Sequence, residues 1–181
     1  HMHVFNERIR VQGEEVSDDS LVKSFEMVEA VRNGVPLNYF EYAVLAALTC
    51  FSREDLDYAI LEIGLGGRLD AVNIIDGDLS IITSIGIDHE EYLGSDRECI
   101  GREKAGILRR GIPLIFGEPQ IPESIEQRAK ELGVPTYISG RDFRAHADSN
   151  SWRIEVTEGA QLNAYQYWQS PSIATENAVV A

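Results

Sequence analysis

The sequence lacks the features expected of a membrane protein, a disulfide-rich protein or a nucleic-acid-binding protein. No window holds the roughly 18 consecutive apolar residues that a membrane-spanning helix needs, and the start has no basic region followed by an apolar one. Cys50 and Cys99 form neither a disulfide framework nor a metal-binding spacing, so we expect reduced thiols. A net charge of −14 would repel the phosphates of a nucleic acid. These absences predict a soluble cytoplasmic protein that binds neither membranes nor nucleic acids.

The sequence also lacks the usual fingerprints of a phosphate-binding loop. The stretch GLGGRLD does not fit GxGxxG, and no GxxxxGK[ST] occurs. What is present is an apolar content of 44% over 181 residues, enough for a sizeable core, and one domain is the default expectation. The leading HM is set aside as a cloning remnant. The final ATENAVVA begins like a helix and stops, which indicates a chain cut from a longer polypeptide.

The pattern of apolar residues predicts an α/β fold. Short apolar runs typical of buried parallel strands cover residues 58–63, 79–85, 112–117 and 135–139. Helices are predicted at residues 17–34, 39–51, 96–111 and 122–133. The second helix is apolar nearly all round and should be buried. Alternation around a turn predicts a small antiparallel appendage near residues 141–158. The predicted fold class is therefore a mainly parallel sheet flanked by helices.

A carboxylate and a glycine-rich loop follow the first apolar run. Glu62 stands one residue before the end of the run, and Gly64, Gly66 and Gly67 come next. In open parallel sheets ligands bind beyond the carboxyl ends of strands, and glycines let a ligand approach the backbone closely. A carboxylate at such an edge suits Mg²⁺, which prefers oxygen ligands. The alternative is that Glu62 is a surface charge and that the glycines only form a turn.

Two further residues are candidates for the same site. His89 follows the second apolar run, beside Asp88 and Glu90, and a neutral histidine can ligate a metal. If the two strand ends are neighbours in one sheet, Glu62 and His89 can share an ion. Lys104 lies on a predicted helix and would act only if burial removed its proton. The alternative for both is a solvated surface side chain.

Several longer stretches occur together in a fixed order: NERIRV, YFE, LEIGLGGRLDAVNIID, ITSIGIDHEEYLG, IGREKAGILRRGIP and ENAVVA. In this order and spacing the sequence resembles the bifunctional dihydrofolate synthase and folylpolyglutamate synthase family, relatives of the Mur peptide ligases. The resemblance runs from about Asn6 to Phe143 and resumes at ENAVVA. It implies that residues 1–181 are a partial ATPase and pterin-binding domain of P-loop NTPase type. The phosphate-loop segment and a C-terminal Rossmann-type domain are not in this sequence.

The resemblance also implies a metal site. Glu62 matches the family's ligand to a first Mg²⁺ beside the nucleotide phosphates, and His89 matches a ligand of a second Mg²⁺. Lys104 matches a lysine that is carbamylated in these enzymes and helps to hold the second ion. Together these three residues are the predicted catalytic and metal-binding set.

Substrate contacts follow from the same resemblance. The residues matching pterin-binding segments are Asn38, Tyr39, Phe40, Glu41, Leu69, Asp70 and Ala71. Phe40 would stack on the pterin ring, and Asp70 would accept hydrogen bonds from its ring nitrogens. Asn177 matches an asparagine near the base of ATP. Asn38 and Val72 stand where threonine is common in the family, which leaves the geometry of the pterin site open.

The implied activity is ATP-dependent amide formation through an acyl phosphate. L-glutamate would be joined to dihydropteroate and to the glutamate tail of reduced folates, and the stretches DAVNIID and YFE favour this bifunctional activity over chain extension alone. We expect a monomeric full-length enzyme and an inactive isolated chain, since the phosphate loop is missing. The alternatives are a noncatalytic α/β binding module and a Mur-type ligase with another acceptor.

Overall fold

The computed structural model describes residues 3–86, 96–147, 152–158 and 161–167. The chain divides into two units, His1–Ile63 and Gly64–Ala181. Two predicted site residues, His89 and Asn177, lie outside the described residues, as does the helix expected to begin near residue 174. In the part of the chain that is described, no helix is long and apolar enough to cross a membrane.

The first unit is built from a short hairpin and two helices. A 3₁₀ helix, Phe5–Arg8, precedes strands β1 (Arg10–Val11) and β2 (Glu14–Glu15), which pair antiparallel. Helix α1 spans Asp18–Val31 and helix α2 spans Tyr39–Phe51. Both helices occur where the sequence predicted them.

Caps and a small apolar core explain why these helices form. The Ser17 hydroxyl accepts a hydrogen bond from the Ser20 N–H at the start of α1, which satisfies one of the free N–H groups of the first turn. The core of the unit consists of Ile9, Val16, Leu21 and Cys50, with Phe5, Val11, Phe25, Ala47 and Phe51 packed against it. Helix α2 is fully buried only along the stripe formed by Ala43, Ala46 and Cys50. The expectation of burial on all sides is therefore wrong, because most of its other side chains are only partly covered.

The second unit contains the predicted parallel sheet. Strands β3 (Ser80–Ile82), β4 (Leu114–Phe116) and β5 (Thr136–Ile138) lie in the order β3-β4-β5, and both pairs are parallel. Helices α3 (Arg97–Lys104) and α4 (Glu123–Leu132) connect them, and a 3₁₀ turn, Ala105–Ile107, extends α3. The buried core of this unit consists of Ile82, Ile85, Ile100, Ala105, Leu108, Leu114, Phe116, Ile125, Ala129, Val134 and Ile138. These strands and helices confirm the predicted α/β class.

An antiparallel sheet follows in the same unit. Strands β6 (Phe143–Ala147), β7 (Trp152–Glu158) and β8 (Gln161–Tyr167) pair in sequence order. The Asp142 carboxylate accepts the Ile138 N–H at 2.7 Å, and its backbone carbonyl accepts the Thr157 N–H, so the turn after β5 ties the two sheets together. The predicted appendage is confirmed, and a third strand extends it to residue 167.

One predicted strand is wrong. Residues 58–63, the apolar run before the glycine loop, form no strand, and Tyr58 and Ile60 are 87% and 92% exposed. A strand is stabilised by hydrogen bonds to a neighbour, and no described strand pairs with these residues. Glu62 is therefore an exposed carboxylate on a segment without regular secondary structure, not the end of a buried strand.

Candidate functional site

The glycine-rich loop is folded around the side chain of Asp70. One oxygen of this carboxylate accepts the N–H groups of Gly64 (3.0 Å) and Leu65 (2.9 Å), and the other accepts the Val72 N–H (2.9 Å). Asp70 thereby caps a 3₁₀ helix, Ala71–Ile74. A carboxylate offers about four acceptor positions, so roughly one remains for a ligand after these three bonds. Asp70, which was predicted to bind the pterin, therefore also sets the conformation of its own loop.

Two glycines allow this loop to lie directly on the end of helix α3. A Cβ on Gly67 would lie 2.9 Å from the Glu103 carbonyl oxygen and 3.3 Å from the Lys104 Cα. A Cβ on Gly106 would lie 2.5 Å from the Arg68 Cα. Real Cβ atoms do not approach other atoms this closely, so only glycine fits at either position.

The close approach brings two groups of predicted site residues together. Gly67 and Arg68, which directly precede Leu69, Asp70 and Ala71, lie against the helix end that carries Lys104. Leu69 is 80% exposed, whereas Ala71 and Lys104 are half-buried. The predicted pterin segment therefore follows directly on the part of the loop that contacts the helix end with Lys104.

The other predicted pterin segment begins helix α2 in the first unit. The Asn38 side chain accepts the Glu41 N–H at 2.9 Å, and the Glu41 carboxylate accepts the Asn38 N–H at 2.8 Å, which is a complete capping box. Tyr39 packs edge-on against Phe5, and Phe40 is half-buried. Asn38 and Glu41 therefore stabilise the start of α2 whether or not a ligand is bound.

Arg97 anchors the segment that follows β3 at a point a few residues before His89. Arg97 donates hydrogen bonds to the Ile85 carbonyl at 2.7 Å and to the Glu118 carboxylate at 2.6 Å. Ile85 itself is buried in the sheet core. The guanidinium group thus fixes the end of the segment after β3 to the first turn of α3.

Backbone hydrogen bonds at the start of α3 and α4 account for two shifted pKa values. The Ser124 N–H, followed by the Glu123 N–H, holds the pKa of the Glu98 carboxyl below its usual value. The Cys99 N–H lowers the pKa of Asp96, which caps α3. Pro122, the residue before α4, makes no capping hydrogen bond with its side chain. The Glu98 carboxylate instead accepts the first N–H groups of α4. Both carboxylates therefore serve the helices that frame the site.

The described residues do not by themselves form a metal centre. Across residues 3–86, 96–147 and the two later strands, no group of three His, Cys, Asp or Glu side chains is close enough to hold an ion. Glu62 belongs to the first unit, Lys104 to the second, and His89 is outside the described part. The three-residue metal site stays a prediction.

Several residues that the sequence did not single out tie the glycine loop to α3. They are Arg68, Asn73, Asp76, Glu103 and Arg109. Their partners lie 33 to 36 residues apart along the chain, for example Asn73 with Gly106 and Arg109. No local spacing marks such contacts, so nothing in the sequence alone could have revealed them.

Comparison with known proteins finds strong similarity to one group of enzymes. The dihydrofolate synthase/folylpolyglutamate synthase of Escherichia coli (strain K12) is 44% identical over 163 residues, which are 90% of this chain and 39% of that protein. No protein-family model matches the chain.

Solved structures give the same result. E. coli FolC in complex with DHPP and ADP has a TM-score of 0.90 and 40% identity, covering 99% of this chain and 42% of that one. A bifunctional folylpolyglutamate synthase/dihydrofolate synthase with Mn, AMPPNP and L-glutamate bound has a TM-score of 0.87 and 42% identity, covering 99% and 43%. The chain thus spans about two fifths of the length of the proteins that it matches.

Proposed function

Because the chain belongs to the dihydrofolate synthase/folylpolyglutamate synthase family, we propose that it is the metal- and pterin-binding part of an ATP-dependent folate ligase. The observation that carries the proposal is the match, over 99% of the chain, to an enzyme solved with DHPP and ADP. The complete enzyme would join L-glutamate to dihydropteroate and to the glutamate tail of reduced folates. It would act as a monomer in the cytoplasm, and residues 1–181 alone would not turn over ATP.

The proposed chemistry is carried out on the substrates and needs no covalent protein intermediate. The carboxylate of the folate acceptor attacks the γ-phosphorus of ATP, which forms an acyl phosphate and releases ADP. The amino group of glutamate then attacks the acyl carbon and expels phosphate, and the amine loses a proton. Such phosphoryl transfer depends mainly on positioning and on neutralising charge.

The cofactor proposed for this site is a pair of Mg²⁺ ions. A structure of a family member contains Mn and AMPPNP, so a divalent ion accompanies a nucleotide in that protein. In this chain Glu62 offers an exposed carboxylate, the hard oxygen ligand that such ions prefer. His89 and a carbamylated Lys104 would hold the second ion, and the bound metal would neutralise charge on the phosphoryl oxygens.

The acceptor would be held by the two pterin segments. Asp70, with about one acceptor position left after its loop contacts, would bind a ring N–H of the pterin. Phe40 would stack on the ring, beside the capping box of Asn38 and Glu41, with Tyr39, Leu69 and Ala71 completing the contacts. Asn177 would contact the base of ATP.

The test is product formation by the full-length protein. We would supply MgATP, L-glutamate and either dihydropteroate or tetrahydrofolate, and weigh the products by mass spectrometry. Addition of glutamate to both acceptors is the expected result. Addition to neither, with ATP left intact, would contradict the proposal and leave a noncatalytic binding module. ATP-dependent addition of an amino acid only to a cell-wall precursor would instead identify a Mur-type ligase.

A substitution at Glu62 tests the metal assignment within the same assay. Glu62→Gln keeps the shape of the side chain but removes its charge, and turnover should fall by roughly a hundredfold or more while binding of dihydropteroate changes little. Glu54→Gln is the matched control, because it removes an exposed charge eight positions earlier and should leave turnover unchanged. Equal turnover by both variants would remove Glu62 from the metal site.

A further inference from the structure

The segment that carries Asp70 has little packing of its own. Leu69, Ile74 and Ile75 are 80%, 70% and 44% exposed, so few apolar contacts hold this segment in place. The facing helix end is different, because Ile100, Ala105 and Leu108 around Lys104 are buried in the sheet core. The helix end is therefore held in place by the core, whereas the position of the Asp70 segment depends on its contacts with that helix end.

Polar contacts hold the exposed segment to the fixed helix end. The Arg68 N–H donates to the Glu103 carbonyl at 2.9 Å, and the guanidinium group of Arg68 donates to both carboxylate oxygens of Glu103 at 3.0 to 3.2 Å. The two residues thus meet through backbone and side chain at once. A forked pairing of this kind fixes direction as well as distance.

Asn73 joins the same two segments at a second point. Its side-chain amide donates to the Arg68 carbonyl at 3.2 Å on the loop and to the Gly106 carbonyl at 3.1 Å beyond the helix. Its amide oxygen accepts from Arg109 at 3.0 Å. Both amide donors and the oxygen are therefore used, and no carboxylate could replace the amide because it has no hydrogen to donate.

These contacts contribute little to overall stability. The side chains of Arg68 and Glu103 are 53% and 24% exposed, and ion pairs of this exposure are weak because water screens them. Their effect is on the register between the loop and the helix end. We call the set formed by Arg68, Asn73 and Glu103 the latch.

We propose that Arg68, Asn73 and Glu103 are positioning residues for the ligase reaction, because they hold the loop with Asp70 in register with the helix end that carries Lys104. The inference rests on the proposed function, in which Asp70 binds the acceptor and Lys104 belongs to the metal site. Loss of the latch displaces the loop, not the helix end. The acceptor is then misaligned with the phosphoryl group while ATP binds as before.

The test is steady-state kinetics of full-length Asn73→Asp and Arg68→Ala. We expect kcat/KM for dihydropteroate to fall about a hundredfold in Asn73→Asp, with a raised KM for dihydropteroate and a KM for ATP within about twofold of the parent. Arg68→Lys should be more active than Arg68→Ala, because lysine keeps the positive charge but cannot form the forked pair of hydrogen bonds that the guanidinium group makes with Glu103. Glu103→Ala added to Arg68→Ala should cost little more than Arg68→Ala alone, because the two side chains act on each other.

Controls separate positioning from general damage. Gln127→Glu makes the same change of charge as Asn73→Asp on the exposed face of α4, and Arg128→Ala removes an arginine from another exposed ion pair. Both should keep the parent's kinetics. An active parent with dihydropteroate kinetics unchanged in Asn73→Asp and Arg68→Ala would overturn the latch, and so would equal rises in both KM values. A parent that glutamylates no folate acceptor would overturn the proposed function and the latch with it.

Discussion

Residues 58–63 and residues 79–85 are both apolar runs that lead into a glycine, yet their surroundings are opposite. In the first run Tyr58 and Ile60 are almost completely exposed, and no described strand pairs with it. In the second run Ile82 and Ile85 are 4% and 2% exposed, and β3 pairs with β4. The difference shows that an apolar run becomes a buried strand only where a neighbouring strand supplies hydrogen bonds and a facing helix supplies cover.

The largest effect is expected at the centre of the paired region. Phe116 lies on the middle strand β4 with no exposed surface, and Phe116→Ala should lower the free energy of unfolding by about 3 to 5 kcal/mol through lost burial and a cavity. Urea unfolding followed by tryptophan fluorescence measures this, because Trp152 lies on β7 of the second unit. A loss below about 1 kcal/mol would mean that β4 is not the centre of this core.

A smaller loss is expected where the glycine loop meets α3. Gly106→Ala places a Cβ 2.5 Å from the Arg68 Cα, so the loop must move, at a cost of roughly 1 to 3 kcal/mol. The same unfolding assay measures it. Gly86→Ala is the control, because a Cβ there meets nothing within 4 Å. Equal stability of the two variants would show that the loop does not lie on the helix end.

Acid should weaken the helices that flank the paired strands. The pKa values of Asp96 and Glu98 are lowered in the folded chain by hydrogen bonds from backbone N–H groups. Their contribution is therefore complete above the usual carboxyl pKa values of about 4 and is lost as the pH falls through the lowered values. The free energy of unfolding, measured by urea titration from pH 6 down to pH 2.5, should decline at the acid end.

Glu98→Gln sharpens this test. The amide keeps one acceptor oxygen for the start of α4 but cannot titrate, so the acid decline should be shallower than in the parent. An unchanged slope would show that Glu98 does not cap α4 in solution.

The smallest effect is expected in the unpaired run. Ile60 is 92% exposed, so Ile60→Ala should change the free energy of unfolding by no more than about 0.5 kcal/mol. Hydrogen exchange of the same chain should show fast exchange of amides 58–63 and slow exchange in β4. A cost like that of Phe116→Ala would place Ile60 in a core and remove the contrast between the two runs.

Much of the fold was predictable because its signals are local. Ser17 and the Asn38–Glu41 pair mark helix starts, and the short apolar runs at 79–85, 112–117 and 135–139 became strands. Strand β8 was not predicted because Gln, Asn and Tyr dominate it, although its residues do alternate. The error at 58–63 has a different origin, since local composition does not reveal whether a partner strand exists.

The candidate site was predictable only in part. Glu62 and the glycines at positions 64, 66 and 67 indicated a ligand-binding loop, whereas Asp70 was singled out only by family resemblance, and the structure shows that Asp70 shapes the loop. The contribution of Asn73 depends on Gly106, 33 residues away, and so could not be deduced from neighbouring residues. Glu62 and His89 were proposed as metal ligands from their positions after two apolar runs, whereas the role of Lys104 came from family resemblance, and all three remain predictions.

The most direct test of the proposed site is the anomalous scattering of Mn²⁺ in crystals of the full-length protein grown with AMPPNP. We expect one ion coordinated by Glu62 and a second coordinated by His89, with the Lys104 side chain beside the second. Ions bound to the nucleotide but to none of these three residues would contradict the assignment of this chain as the metal-binding part of the ligase.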